Sequence, residues 1–192
     1  MHVAGVILAG GFSRRMGESK ALLPYQGERL IDHMVQKLQG VLRLADREDP
    51  MVLISGQIEE YRCIADRLPA KGPLVGIYSV FQWFDAETPS HLLIVPVDMP
   101  LLSIPLLKTL TQVRTEKNAA AFRTFELPLL LRRSIEVERI LEELCSEFTH
   151  PPLRSIRELK RRLSCHEVQV PAECNAEFLN ANTPGEWLTV AR

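Results

Sequence analysis

Short apolar runs alternate along this chain with segments of helical periodicity, and this alternation limits the folds that the chain can adopt. The apolar runs in the first half are residues 3–9, 51–55 and 91–97. Between them, apolar residues recur from Leu30 to Leu38 at helical spacing and again over 77–84. Gly40 predicts the end of the first of these helices. Strands that are apolar throughout are typical of a parallel sheet covered on both faces, so we predict an α/β fold with a mostly parallel central sheet.

The second half of the chain continues the alternation. Ser103 precedes a helical pattern and is predicted as its N-cap, because a serine oxygen accepts a hydrogen bond from a backbone N–H of the first turn, and a further helix is predicted to begin at Ser134. Thr183, Pro184 and Glu186 predict the start of a last helix, after a strand at "FLN". Further strands are predicted at 118–123, 127–131 and 166–170, and a basic amphipathic helix at 153–163. No linker or repeat divides the sequence, so we expect one domain over residues 1–192.

Charge and cysteine usage argue against several classes of protein. The formal net charge of −1 does not indicate a nucleic-acid-binding protein, so any anion site must be local. The four cysteines form neither a C-x-x-C pair nor a cluster at zinc-ligand spacing, and we interpret them as free thiols. No run of 18 apolar residues or secretory signal is found. We therefore expect a soluble cytoplasmic protein with no nucleic-acid or membrane partner.

A glycine-rich, basic loop follows the first apolar run, in "LAGGFSRRMGESKALL". Gly10 and Gly11 free backbone N–H groups to face an anion, and Arg14, Arg15 and Lys20 add positive charge. The glycine spacing matches neither the dinucleotide-binding pattern G-x-G-x-x-G nor the Walker A loop. From residue types alone, a polyphosphate-binding loop and a solvated basic turn are about equally favoured.

Asp98 ends another apolar run, in "LLIVPVDMPLL". A carboxylate at the carboxyl end of a parallel strand lies where open α/β sheets bind their ligands, and one carboxylate with phosphate oxygens suffices to hold Mg²⁺. The alternative for Asp98 is a turn or helix-capping role. Asn180 and Asn182, two residues apart in "LNAN", would share one face of an extended segment and contact substrate or metal-bound water, or else close a turn.

Four segments together carry a resemblance to a known family. They are "LAGGFSRRMGESKALLPYQGERLIDHMVQKL", "GPLVGI", "VPVDMPLL" and "FLNANTPGEW". In this order and spacing they resemble the molybdenum cofactor guanylyltransferases of the MobA-like nucleotidyltransferase family. The resemblance implies a Rossmann-like, three-layer nucleotidyltransferase fold. It also implies an Mg²⁺-dependent enzyme that transfers GMP from GTP to the phosphate of molybdopterin, or of the molybdenum cofactor, and releases pyrophosphate.

The resemblance also implies roles for individual residues. The nucleotide would be held by Leu8, Ala9, Gly10, Gly11, Lys20, Asp66 and Asp98. Arg15 and Lys20 would act on the phosphates, and Asp98 matches the aspartate of the family that holds magnesium. Gly72, Pro73 and Gly76 match a segment that lines the nucleotide pocket, and Asn180 and Asn182 match the N-x-N of the family. Asp66 could accept hydrogen bonds from guanine or bind the ribose.

The stretch that corresponds to the acceptor region of the family, "AAAFRTFELPLLLRRS", is short, with Leu127 where relatives have histidine before the proline. CTP as donor, a sugar phosphate as acceptor, and a nucleotide-binding module without turnover therefore stay open as alternatives. One group of basic residues could bind an anionic acceptor or form a solvated helix face: Arg157, Lys160, Arg161 and Arg162 of the basic helix, with Arg132 and Arg133. Delivery of molybdopterin by a cofactor-biosynthesis protein is a further expectation.

Overall fold

The computed structural model describes residues 1–10, 19–43, 50–68, 72–84, 89–146, 154–181 and 183–190. Its strands are β1 (Val3–Leu8), β2 (Pro24–Tyr25), β3 (Glu28–Arg29), β4 (Val52–Ser55), β5 (Cys63–Ile64), β6 (His91–Pro96), β7 (Ala119–Phe122), β8 (Leu129–Arg132) and β9 (His166–Val168). Its α-helices are α1 (Leu30–Leu42), α2 (Pro73–Phe81), α3 (Ile104–Thr111), α4 (Ile135–Cys145), α5 (Ile156–Arg162) and α6 (Pro184–Val190). Within the described ranges, 3₁₀ helices cover Lys20–Leu22 and Ala172–Phe178.

A seven-stranded sheet in the order β5-β4-β1-β6-β8-β7-β9 forms the centre of the fold. The pairs β1–β4, β1–β6, β4–β5 and β7–β9 are parallel, whereas β8 runs antiparallel to both of its neighbours. Strands β2 and β3 form a separate antiparallel hairpin. The predicted α/β class and mostly parallel sheet are therefore confirmed, with β8 as the reversed strand. Because parallel strands run in the same direction, their carboxyl ends lie at one edge of the sheet, and their connecting helices lie on its two faces.

The apolar residues of the sheet point alternately to two cores. Val6 and Leu92 pack with α2, α4 and α5 on one face. Ile7 and Leu93 pack with α1 and α3 on the other. Side chains that alternate along each strand thus fill a layer on either side, as the three-layer prediction requires. None of the helices in the described ranges has the length and apolar character needed to cross a membrane.

The predicted starts of three helices are confirmed, each with a hydroxyl side chain as its cap. Ser103 Oγ accepts a hydrogen bond from the N–H of Leu106 at 3.3 Å, and Ser134 Oγ accepts one from Val137 at 3.3 Å. Thr183 Oγ1 accepts the N–H of Glu186 at 3.2 Å at the start of α6. These motifs depend on residues three apart, so they can be recognised without tertiary information.

Two predicted boundaries are wrong. Helix α1 continues through Gly40 to Leu42, because Val41 and Leu42 are buried and add to the core. A Cβ at Gly40 would lie 2.8 Å from Ile104 Cδ1, so this glycine permits close packing of α1 against the start of α3 instead of ending the helix. Residues "FLN" are also not a strand: Phe178 ends a 3₁₀ helix and the chain then runs extended outside the sheet.

Candidate functional site

The carboxyl ends of β1, β4 and β6 meet at one edge of the sheet. The N–H of Ala9 donates to the carbonyl of Ser55 at 2.8 Å, and the N–H of Val97 donates to the carbonyl of Leu8 at 3.1 Å. These bonds extend both parallel pairings to the last residues of the strands. They bring the residues after β1, the residues after β4 and Asp98 to the place where α/β sheets bind ligands.

Gly10 and Gly56 are in close contact at this edge. Gly56 has a φ of +143°, and a Cβ there would lie 2.9 Å from the nitrogen of Gly10 and 3.0 Å from the carbonyl carbon of Ala9. The end of β4 therefore supports the backbone at Ala9 and Gly10, and only glycine fits at position 56. Sequence reasoning found Gly10 but assigned Gly56 no role. The feature of the sequence that could have identified Gly56 is its position directly after a buried strand.

Lys20 and Asp98 form an ion pair at the same edge. Lys20 opens the 3₁₀ helix Lys20–Leu22, and its Nζ lies 3.3 Å from Asp98 Oδ2. The two side chains are 16% and 22% exposed, so the pair is partly shielded from water and still reachable by a ligand. The two residues are 78 apart in sequence. Two predicted site residues thus meet in the fold, which a turn or capping role for Asp98 would not require.

The segment at Asn180 is joined to Asp98 by a backbone bond. The N–H of Ala181 donates to the carbonyl of Asp98 at 2.9 Å. Asn180, the preceding residue, is exposed. Just before it, the ring of Phe178 stacks on Phe125 with centroids 3.8 Å apart. The predicted N-x-N segment therefore passes the Lys20–Asp98 pair. Gly11, Arg14, Arg15, Gly17 and Asn182 lie outside the described residues.

Helix α2 closes the site on the β4 and β5 side. It begins after Gly72, whose φ is +131°. A Cβ at Gly76 would lie 2.5 Å from Ser55 Oγ, so glycine at this position lets α2 pack directly on the end of β4. Asp66 follows β5 at the same edge of the sheet and is exposed, and burial of part of its carboxyl raises its pKa. Gly72 and Gly76 thus set the position of α2 against the end of β4, and their role in a nucleotide pocket stays a prediction.

The donor set at this edge fits a magnesium ion held jointly with a nucleotide. Within the described ranges, no group of three or more histidine, cysteine, aspartate or glutamate side chains could hold a metal by itself. Mg²⁺ keeps few protein ligands and takes its remaining oxygens from phosphates and water. Asp98 supplies one such carboxylate, and Lys20 beside it supplies the charge that phosphates require.

A second concave region lies around the turn between β7 and β8 and the segment that leads from α5 into β9. This cavity of about 580 Å³ is bounded by Lys117, Thr124, Phe125, Glu126, Arg157, Lys160, Arg161, Ser164, Cys165 and Glu167. It contains four cationic side chains and two acidic ones. Thr124 and Ser164 have φ values of +73° and +45°, a backbone conformation that non-glycine residues rarely adopt. Its Phe125 wall stacks on Phe178 and so connects the cavity to the Asn180 segment.

The structure separates the basic residues that the sequence left as one group. Lys160 Nζ donates to the carbonyl of Phe125 at 2.6 Å, and Arg157 Nε lies 3.3 Å from Glu126 Oε1. Arg161 and Arg162 both pair with Glu158, and these arginines hold the pKa of that carboxyl at about 2. Arg133 lies over the ring of Phe84 at 4.9 Å. Of these helix cations, Arg157, Lys160 and Arg161 border the cavity, whereas Arg162 pairs with Glu143 and Glu158 outside its lining.

Comparison with known proteins gives three findings. Residues 5–163 match the model of the MobA-like NTP transferase domain. The chain is 43% identical over 183 residues to the molybdenum cofactor guanylyltransferase of Xanthomonas euvesicatoria pv. vesicatoria, covering 95% of this chain and 91% of that one. The crystal structure of molybdopterin-guanine dinucleotide biosynthesis protein A from Archaeoglobus fulgidus has a TM-score of 0.73 at 19% identity, covering 98% and 96%.

A structure that contains a metal is also similar. The manganese complex of Rv0371C from Mycobacterium tuberculosis superposes with a TM-score of 0.65 at 15% identity, and the match covers 100% of this chain and 98% of that one. At these identities the two structural likenesses establish the fold, which is that of nucleotidyltransferases.

Proposed function

The chain belongs to the family of MobA-like NTP transferases, and we propose that it is a molybdenum cofactor guanylyltransferase. It transfers GMP from GTP to the phosphate of molybdopterin, or of the molybdenum cofactor, and releases pyrophosphate. The observation that carries the proposal is the Lys20–Asp98 pair, placed beside the glycine loop and joined to the Asn180 segment. The cytoplasm is the proposed location, in keeping with the free thiols of all four cysteines.

The first loop and Lys20 bind the triphosphate in this proposal. Backbone N–H groups around Gly10 face the phosphate oxygens, supported from below by Gly56. Lys20 adds a formal positive charge at the same edge, and Arg15 is proposed to add a second. Asp66 and the α2 segment from Gly72 enclose the base and ribose. Leu8, Ala9 and Gly11 complete the nucleotide site as predicted from the sequence.

Asp98 is the residue that would hold magnesium, with phosphate oxygens as the other ligands and Asn180 or Asn182 near its bound water. When bound there, Mg²⁺ would neutralise charge that develops on the α-phosphate and on pyrophosphate. An oxygen of the acceptor phosphate attacks the α-phosphorus, a new P–O bond forms, and the bond to the bridging oxygen of pyrophosphate breaks. The attacking phosphate is already an anion, so no side chain has to remove a proton. Lys20 and Asp98 therefore act by orientation and charge.

The acceptor is proposed to extend from the Asn180 segment toward the cavity around Phe125. Molybdopterin carries a phosphate and a planar ring system, so an aromatic wall with an excess of cationic side chains is chemically suited to it. Arg157 and Lys160 are the cations proposed to contact it. Delivery of the acceptor by a cofactor-biosynthesis protein stays a prediction.

The function is tested by incubating the protein with Mg²⁺, molybdopterin and either GTP or CTP, and separating the products by chromatography. We expect the guanine dinucleotide and pyrophosphate, with kcat/KM for GTP exceeding that for CTP by at least about 100-fold, because unpaired polar groups in a base pocket penalise the wrong base. Turnover with CTP alone, or with a sugar phosphate in place of molybdopterin, would contradict the proposal.

The acceptor cavity makes a separate prediction. Replacing Arg157 and Lys160 together by glutamine should raise KM for molybdopterin about tenfold, corresponding to about 1.4 kcal/mol, and leave KM for GTP unchanged. The matched control replaces Arg114 and Arg139 by glutamine, since both are exposed and lie outside the cavity lining. Equal effects of the two double variants would show that general charge, and not the cavity, attracts the acceptor.

A further inference from the structure

The residues that connect β6 to α3 carry the Asp98 carboxylate. This connection runs from Asp98 to Ser103, and little of it is fixed by the sheet, because β6 ends at Pro96. Its first carbonyl accepts the N–H of Ala181, and a longer bond of 3.4 Å joins Leu102 to Met99 within it. Side chains from elsewhere in the fold supply further restraint.

Lys37 reaches the middle of the connection from α1. Its Nζ donates a hydrogen bond to the carbonyl of Pro100, two residues after Asp98. The close approach of the helices supports this contact, because Gly40 lies one turn further along α1 and leaves room for Ile104 of α3. Lys37 is thus a half-buried cation whose ammonium group faces the connection.

Glu177 holds the other end of the connection. Its Oε2 accepts the N–H of Ser103 at 2.7 Å, from the 3₁₀ helix that leads to Asn180. The same carboxylate lies close enough to Lys37 to favour its charged form, which opposes the effect of burial. The two side chains therefore bracket the connection and also link α1 to the segment that passes Asp98.

The surroundings of Lys37 disfavour its positive charge, so a contribution to stability does not explain why a lysine occupies this position. Burial lowers the pKa of Lys37 to about 8, so the desolvation cost exceeds the attraction of Glu177. An apolar side chain of the same length could cover this part of α1 without that cost. Strongly perturbed groups of this kind concentrate at functional sites.

We propose that Lys37 and Glu177 are positioning residues, which fix the Asp98–Ser103 connection so that the Asp98 carboxylate faces Lys20 and the metal-bound nucleotide. This inference rests on the proposed function, since it concerns the same site. Neither residue is assigned contact with the substrate. Both act through the backbone, Lys37 through the carbonyl of Pro100 and Glu177 through the N–H of Ser103.

The test compares Lys37→Met and Glu177→Ala with the wild type. Hydrogen exchange on the protein alone should be faster at the amides of Ser103 and Ala181, by about fivefold for the loss of one hydrogen bond. Binding of Mn²⁺ in the presence of GTP, followed by its paramagnetic signal, should weaken about 10- to 100-fold. In guanylyl transfer, kcat should fall by a similar factor while KM for molybdopterin is unchanged. Lys37→Arg, which retains a cationic donor, should recover most of each loss.

Lys108→Met is the matched control, because Lys108 is a half-buried helical lysine on the same face of the sheet. Unchanged Mn²⁺ affinity in Lys37→Met and Glu177→Ala, with or without faster exchange, would overturn the proposal, and so would equal losses in Lys108→Met. If Lys37→Met does not fold, Glu177→Ala alone decides between these outcomes.

Hydrogen exchange and Mn²⁺ binding can be measured without the transfer reaction. A wild type that binds Mn²⁺ and GTP but transfers nothing would therefore refute the proposed function and leave the positioning role to these two measurements.

Discussion

Replacing Asp98 by asparagine is expected to lower guanylyl transfer by about 10²- to 10³-fold while the protein stays folded. Asparagine keeps the shape of the side chain but has no negative charge to hold a metal or to pair with Lys20 at 3.3 Å. The pair is partly exposed, so its loss should cost no more than about 1 kcal/mol of stability. The rate of pyrophosphate release at saturating GTP and Mg²⁺ measures the effect, and thermal unfolding checks the fold.

Glu116→Gln is the control for this variant. Glu116 is exposed in the turn before β7, and the substitution removes the same charge away from the site. A full rate in Asp98→Asn would show that the carboxylate does not hold the metal. A binding module without turnover predicts no transfer in the wild type either, so the wild-type rate separates that alternative from the enzyme.

The parts of the fold predicted from the sequence depend on neighbours close in the chain. Buried strands appear as short apolar runs, and the caps at Ser103, Ser134 and Thr183 need only a hydroxyl three residues from an N–H. The predicted helix end at Gly40 is wrong because glycine occurs in helices for two different reasons. The same residue that ends helices also allows close packing of two helices, and the second use depends on Ile104, which is remote in sequence.

The residues of the candidate site also fall into two groups: those that the sequence identifies and those that only tertiary packing brings to the site. Lys20 and Asp98 could be selected because each lies in a segment that follows a recognisable strand, and the family resemblance implies a role for each, although not their contact. Lys37 and Glu177 lie in ordinary helical stretches, and nothing local distinguishes them from solvated side chains. Their importance arises only where α1 and the Ala172–Phe178 helix meet the connection after β6. Contacts of this kind are set by tertiary packing, which a single sequence does not display.

Gly56 provides the second large effect. Gly56→Ala should weaken binding of GTP with Mg²⁺ by about 10- to 100-fold, because its Cβ would displace the backbone of Ala9 and Gly10, which is proposed to bind the phosphates. Alanine must also adopt a φ of +143°, which should cost about 1–3 kcal/mol of unfolding free energy. Calorimetric titration measures the affinity, and chemical denaturation measures the stability.

Gly27→Ala separates the two contributions. Gly27 has a φ of +88° in the β2–β3 turn, but a Cβ there would have nothing within 4 Å. Both variants should therefore lose stability through backbone strain, whereas only Gly56→Ala should lose GTP affinity. If the two variants bind GTP equally well, the contact between the end of β4 and the first loop does not shape the nucleotide site. If only Gly56→Ala loses affinity, the loop depends on a neighbouring strand for the conformation that receives the phosphates.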